Sequence, residues 1–169
     1  VCGERYCDQL EPPQFMYSML TRSQRISHEN LRERDHVWLE GYERWFARRD
    51  GLPVADAATP PPPMFTPLTV RGLTLKNRVM VSPMAQYSCV DGVPGDFHLV
   101  HLGSRALGGA AMVMAEMTCI TPEGRITPGC PGIWNDEQKA AWKRIADWIH
   151  THSDCKFAIG ASSGTDAIL

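Results

Sequence analysis

His98 and His101 stand three residues apart in GDFHLVHLG, a spacing that puts two imidazoles on one face of a helix, where they could share a metal ion. Catalytic zinc needs three protein ligands and no third one follows at a suitable spacing, so both histidines are expected to be structural and no metal is expected. Six cysteines (Cys2, Cys7, Cys89, Cys119, Cys130, Cys155) are scattered without a paired spacing. Reduced thiols in a cytoplasm are the expectation. Arg125, in PEGRITPG, could face an anion or cap a turn. His150 and His152 suit the negative end of a helix dipole. No G-x-G-x-x-G follows the first apolar run and no G-x-x-x-x-G-K-[ST] occurs, which removes the usual nucleotide-phosphate cradles. The run VMVSPM ends in a proline turn at Ser82, Pro83, Met84 and Ala85, with Tyr87 just beyond.

The elements that must position these residues fall into two parts. PVADAATPPPP, residues 53–63, lacks apolar periodicity and is expected to be an extended spacer. Ahead of it, Ser27 could cap one helix carrying Leu31, Trp38, Tyr42 and Trp45 on one side and closing before Gly51. Behind it the pattern alternates. Val79–Met84 reads as a strand, Asp96 as the cap of a helix with Leu99, Leu102 and Ala106 inward, and Ala111–Met117 as a second buried strand. Asn135 with Gln138 three residues on resembles a capping box for a helix with Ala141, Trp142, Ile145, Trp148 and Ile149 inward, and Lys156–Ile159 opens a third strand. The order βαβαβ demands a parallel α/β sheet with right-handed crossovers. A doubly wound sheet and a (β/α)8 barrel both begin this way, and periodicity alone does not separate them.

A net charge of −2 supplies no basic excess for nucleic acid or an anionic membrane surface, so neither is an expected partner. The longest apolar run, Gly108 to Ala115, falls far short of the roughly 20 residues that cross a bilayer. A start at Val1, without a charged and apolar leader, reads as internal to a longer chain.

The stretch MFTPLTVRGLTLKNRVMVSPMAQYS, then DGVPGDFHLVHLGSRALGGA, then AEMTCITPEGRITPGCPGIWNDEQ, resembles in order and spacing the amino-terminal part of the Old Yellow Enzyme family of flavoproteins. The resemblance implies that residues 64–159 are the opening of an FMN-binding TIM (β/α)8 barrel, with the flavin at the carboxyl ends of the strands and Met64–Lys76 as a floor hairpin. It further implies that Ser82, Pro83, Met84 and Ala85 touch the flavin ring, that Met117 abuts it from the second strand, and that Tyr87 lines the substrate face. Many relatives have Thr or Cys where Ala85 stands, and a methyl cannot donate to a flavin carbonyl. A small Ala is common in relatives at the position of Met117. For each of these residues the plain alternative is a proline turn, a rim tyrosine or core packing.

FMYSMLTRSQRISHENLRERDHVWLEGYERWFARR is similar to the end of the FAD-dependent hydroxylase half of the anthraniloyl-CoA monooxygenases and salicylyl-CoA 5-hydroxylases, bifunctional fusions with a second, Old Yellow Enzyme type half. Residues 1–52 would then be a helical remnant of that half, with FAD bound only in a domain upstream. After the third strand relatives continue with a Gln and His-Ala-Gly-Arg-Lys, whereas this chain reads IGASSGTDAIL, so 160–169 are expected to be a divergent tail and the barrel to be incomplete. In the intact relative, NAD(P)H gives hydride to the flavin, which passes it to an activated alkene while an acid adds a proton. A small molecule is the expected partner, an aryl-CoA thioester in the intact fusion. Open sheet edges are also compatible with an oligomer or a non-catalytic product.

Overall fold

The computed structural model describes residues 11–22, 28–53 and 59–163. Ser27, Cys2, Cys7, residues 54–58 of the spacer and residues 164–169 of the tail lie outside the described residues. The chain divides into two units, Val1–Arg78 and Val79–Leu169.

In the first unit, helix α1 (Pro12–Thr21) begins with two prolines, whose fixed φ and missing N–H suit a first helical turn. It buries Phe15, Ser18 and Met19. One helix was expected next, yet two are found, α2 (His28–Arg34) and α3 (His36–Arg49). The break falls at Asp35, whose carboxylate accepts the N–H of Trp38 at 3.0 Å and restarts the helix. The apolar face also differs from the spacing argument. Leu39, Phe46 and Ala47 are buried, whereas Trp45 is 53% exposed with the Arg49 guanidinium over its ring at 4.8 Å. Phe15, Met19, Leu31 and Leu39 form the core, with Trp38 and Tyr42 against it.

Polar links run from these helices into the end of the spacer and the residues that follow it. Arg22 grips Glu43 with two N–H···O bonds of 2.7 Å and donates a third to the Pro60 carbonyl. Arg78 donates to Asp50 at 2.7 Å, and the Thr66 hydroxyl donates to the same carboxylate oxygen. Residues 63–65 turn as a short 3-10 helix. β1 (Leu68–Val70) and β2 (Leu73–Leu75) then pair antiparallel. Arg71 and Gly72 between them both have positive φ, the conformation that lets a two-residue loop match the twist of a hairpin.

The second unit realises the βαβαβ reading. β3 (Met80–Val81), α4 (Asp96–Leu107), β4 (Met112–Cys119), α5 (Asp136–His152) and β5 (Lys156–Ser162) follow in order, and the sheet order is β3-β4-β5. Both pairings are parallel, with Met80 opposite Met112 and Met112 opposite Lys156. β3 is shorter than the expected Val79–Met84, because the proline turn takes residues 82–89 out of the ladder. Asp96 is the first helical residue, not the cap, and Gly95 holds the cap position. Asn135 does cap α5, accepting the Gln138 N–H at 2.9 Å. Val113, Ala115, Leu102, Ala106, Trp142, Ile145 and Ile149 make one core between sheet and helices. Burial of that apolar surface is what drives the two crossover helices onto the sheet.

Candidate functional site

In a parallel sheet covered by helices, ligands meet the carboxyl ends of the strands, where the connecting loops leave backbone and side chains open. β3 ends at Val81, and Ser82, Pro83, Met84 and Ala85 follow it as an irregular, exposed segment. Tyr87 is 48% exposed and has φ of 53°, a left-handed conformation that a tyrosine rarely adopts. Met117 is half-buried near the carboxyl end of β4. All the residues singled out for a flavin and its substrate thus belong to two neighbouring strand ends.

A feature absent from the sequence reading lies behind this segment. Glu116 sits inside β4 among apolar residues and is 5% exposed. Strand alternation fails there, since Ala115 and Glu116 are buried in succession and the register with β5 shifts between Ala115 and Thr118. Such a bulge re-aims a side chain out of the ordinary pleat. One carboxylate oxygen of Glu116 lies 3.0 Å from Nε2 of His98, which is 2% exposed on α4. Its other oxygen accepts the backbone N–H of Gln86 at 2.7 Å and, more weakly, that of Tyr87 at 3.4 Å.

Burial by itself would raise the Glu116 carboxyl, but the His98 hydrogen bond and the two backbone donors outweigh it and hold the group below the usual glutamate range. Glu116 is therefore an anion, and Nε2 of His98 donates to it. Among the described residues, Nδ1 of His98 is buried without a hydrogen-bond partner. The Cys89 sulfur lies 3.5 Å from the same Nε2, and burial, the Glu116 charge and Cys130 push the Cys89 thiol up to about 12. That thiol is no nucleophile at neutral pH. A glutamate within an apolar strand and a histidine on the inward side of the preceding helix were the signals in the sequence that could have found the pair.

The other candidates resolve locally. His101 is partly buried, and burial, with Arg105 and His98 nearby, lowers its pKa. Among the described residues no group of three or more His, Cys, Asp or Glu could hold a metal ion. Arg125 donates to the Pro122 carbonyl at 3.2 Å and lies 5.5 Å over the Trp134 ring, so it closes its own turn. His152 packs against Trp148 with ring centroids 4.7 Å apart. Cys89, Cys119, Cys130 and Cys155 are buried and in no disulfide. Among the described residues no helix is long and apolar enough to cross a membrane.

Ser82, Met84, Gln86, His98, Glu116 and Trp142 help to line a cavity of about 10 Å3. That is room for about one water, so a planar ring system could only lie across the open strand ends outside it.

Residues 63–165 match the NADH:flavin oxidoreductase / NADH oxidase family. An NADPH dehydrogenase of Listeria monocytogenes is 41% identical over 108 residues, which cover 63% of this chain and 32% of the relative. An NADPH dehydrogenase of Bacillus cytotoxicus is 44% identical over 98 residues, covering 57% and 28%. Among solved structures, morphinone reductase superposes with a TM-score of 0.54 at 35% identity, over 58% of this chain and 25% of that one. The chain thus spans about a third or less of the length of these relatives. The likeness makes βαβαβ the opening of a TIM barrel rather than a doubly wound sheet.

Proposed function

Because the chain belongs to the NADH:flavin oxidoreductase / NADH oxidase family, we propose that it carries the ring-facing amino-terminal part of an FMN-dependent NAD(P)H oxidoreductase acting on activated alkenes. The observation that carries this reading is the exposure of Ser82 to Ala85 at the carboxyl end of the first parallel strand, inside the matched segment. These four residues and Met117 fit one side of an isoalloxazine ring, with open backbone and the thioether of Met84, which is 57% exposed. They do not fit the cofactor's phosphate, because barrel phosphate sites use the loops after strands 7 and 8.

When bound, FMN supplies two-electron transfer between NAD(P)H and the alkene. The chain's own residues do the rest of what can be derived. Ser82 to Ala85 would hold the ring edge, Met117 would limit how deeply the ring sits, and Tyr87 would present its phenol to the substrate. Ala85 offers no hydroxyl or thiol to a flavin carbonyl, so it leaves the flavin potential untuned from that side. NAD(P)H and a small-molecule substrate are the partners, an aryl-CoA thioester if a hydroxylase half precedes the barrel. The helices before residue 63 lie outside the family match, which supports assigning them to such a half, with any FAD bound upstream of this sequence. A cytoplasmic, oligomeric enzyme suits this chemistry.

The test is a graft. Residues 64–162 replace the corresponding segment of the Bacillus cytotoxicus NADPH dehydrogenase, and the purified protein is assayed for bound FMN and for NADPH oxidation with 2-cyclohexenone. A yellow protein that turns over, and that changes its visible spectrum on Ala85→Thr, is expected. A folded, colourless graft would overturn the reading.

A further inference from the structure

We propose that Glu116, held by His98, is a positioning residue that fixes the turn carrying Ser82 to Ala85 and Tyr87 at the mouth of the strand ends. Its meaning for flavin binding rests on the function proposed above; the anchoring itself does not.

Both oxygens of Glu116 are spent, and on different elements. One is bound to His98 on α4, and the other accepts the amides of Gln86 and Tyr87, which are 30 and 29 residues away in the chain. The carboxylate therefore ties β4 to a segment that has left the sheet. Residues 82–89 are in no strand or helix, so backbone ladders do not hold them. A second clamp comes from Gly129. A Cβ at Gly129 would stand 2.2 Å from the Tyr87 carbonyl oxygen, and the Cys89 N–H donates to the Gly129 carbonyl at 3.0 Å. Tyr87 keeps its left-handed conformation because the turn is caught between these two fixtures. Backbone strain of this kind persists only where the surroundings over-determine it.

A mere filler of the core would not need this arrangement. Burying a carboxylate against an imidazole is costly, and apolar residues of the same volume commonly serve stability as well or better. What the pair supplies is direction. The bulge at Ala115 to Thr118 brings Glu116 under the turn, and His98 keeps the carboxylate from swinging away from it.

The experiment is amide hydrogen exchange on the full chain, without flavin, for the wild type, Glu116→Gln, Glu116→Asp and His98→Asn. Loss of the charged acceptor should speed exchange at Gln86 and Tyr87 by about tenfold or more while Val113, Ala115 and Ile159 keep their protection. The Asp variant, which keeps the charge, should recover part of that protection relative to the Gln variant, and His98→Asn should lose part of it. Unchanged exchange at 86 and 87 overturns the proposal. So does a rise spread evenly over β4 and β5, or failure of both the Glu116→Gln and His98→Asn chains to fold, since either would make the pair a fixture of the core. Introducing Glu116→Gln into the graft described above reads the functional side: weaker FMN retention is expected. Equal retention would limit the anchor to the turn, and a wild-type graft without FMN would count against the function while leaving the exchange result intact.

Discussion

At the scale of single residues, charge placement decides what each unit tolerates. Asp50 is buried enough to raise its carboxyl, but hydrogen bonds from Thr66, Arg78 and Arg49 prevail and hold it below its ordinary 3.8. A carboxylate whose folded pKa is depressed adds stability that is fully present above the unfolded value and is lost as pH falls through the folded one. The first unit should therefore hold its stability down to about pH 4 and lose it progressively below, and Asp50→Asn should flatten that dependence while lowering stability at neutral pH. Tryptophan fluorescence during acid titration checks this, and a wild-type curve that matches the Asn variant would count against the Asp50–Arg78–Thr66 network. The sequence could not display this network, because Asp50, Thr66 and Arg78 lie 12 to 28 positions apart and only the fold brings them together. Glu116 and His98, 18 positions apart, left only a hint in the sequence, a charged residue inside an apolar strand. The place of Ser82 to Ala85 at a strand end was readable, since an apolar run stops there at a proline, whereas their facing a flavin came only from the family resemblance.

At the scale of elements, close approach between the two crossover helices depends on a residue without a side chain. A Cβ at Gly103 in α4 would meet the Trp148 ring of α5 at 2.5 Å. Gly103→Ala should therefore overpack that contact and cost about 1–3 kcal/mol, although alanine is the better helix former, and urea denaturation would report it as a lower midpoint with an unchanged slope. A variant as stable as the wild type would mean that Trp148 swings aside freely. Helix periodicity foretold α5 well, because Trp142, Ile145 and Ile149 repeat at helical spacing and Asn135 marks the start. It failed ahead of the spacer, where Leu31, Trp38, Tyr42 and Trp45 can be threaded on one helix but Asp35 offers its side chain to the backbone and starts a new one. Strand limits were missed for a related reason. Val79–Met84 is apolar enough for a strand of six residues, yet ladder pairing ends where Pro83, which has no N–H, approaches.

At the scale of the whole molecule, the balance between a half-built site and an open sheet sets what this chain can bind. Among the described residues its parallel sheet has three strands against the eight of a closed barrel, so β3 and β5 each have an edge that no described strand pairs. Ser82 to Ala85 and Met117 offer the flavin one side of its ring, and the loops that would take its phosphate are not among the two βα units described. Ring contacts alone must then supply the affinity. They act only in chains whose strand ends are already arranged, and apparent affinity falls by the fraction of chains so arranged. We therefore expect the 169-residue chain to bind FMN weakly or not at all, whereas the graft with a complete barrel retains it. Titration of the purified chain into FMN, followed by flavin fluorescence and the visible spectrum, measures this directly. Saturation at low micromolar protein with a shifted spectrum would show that three strands and one ring face are enough. A flat titration, alongside a yellow graft, would locate the missing affinity in the later strands and their phosphate loops.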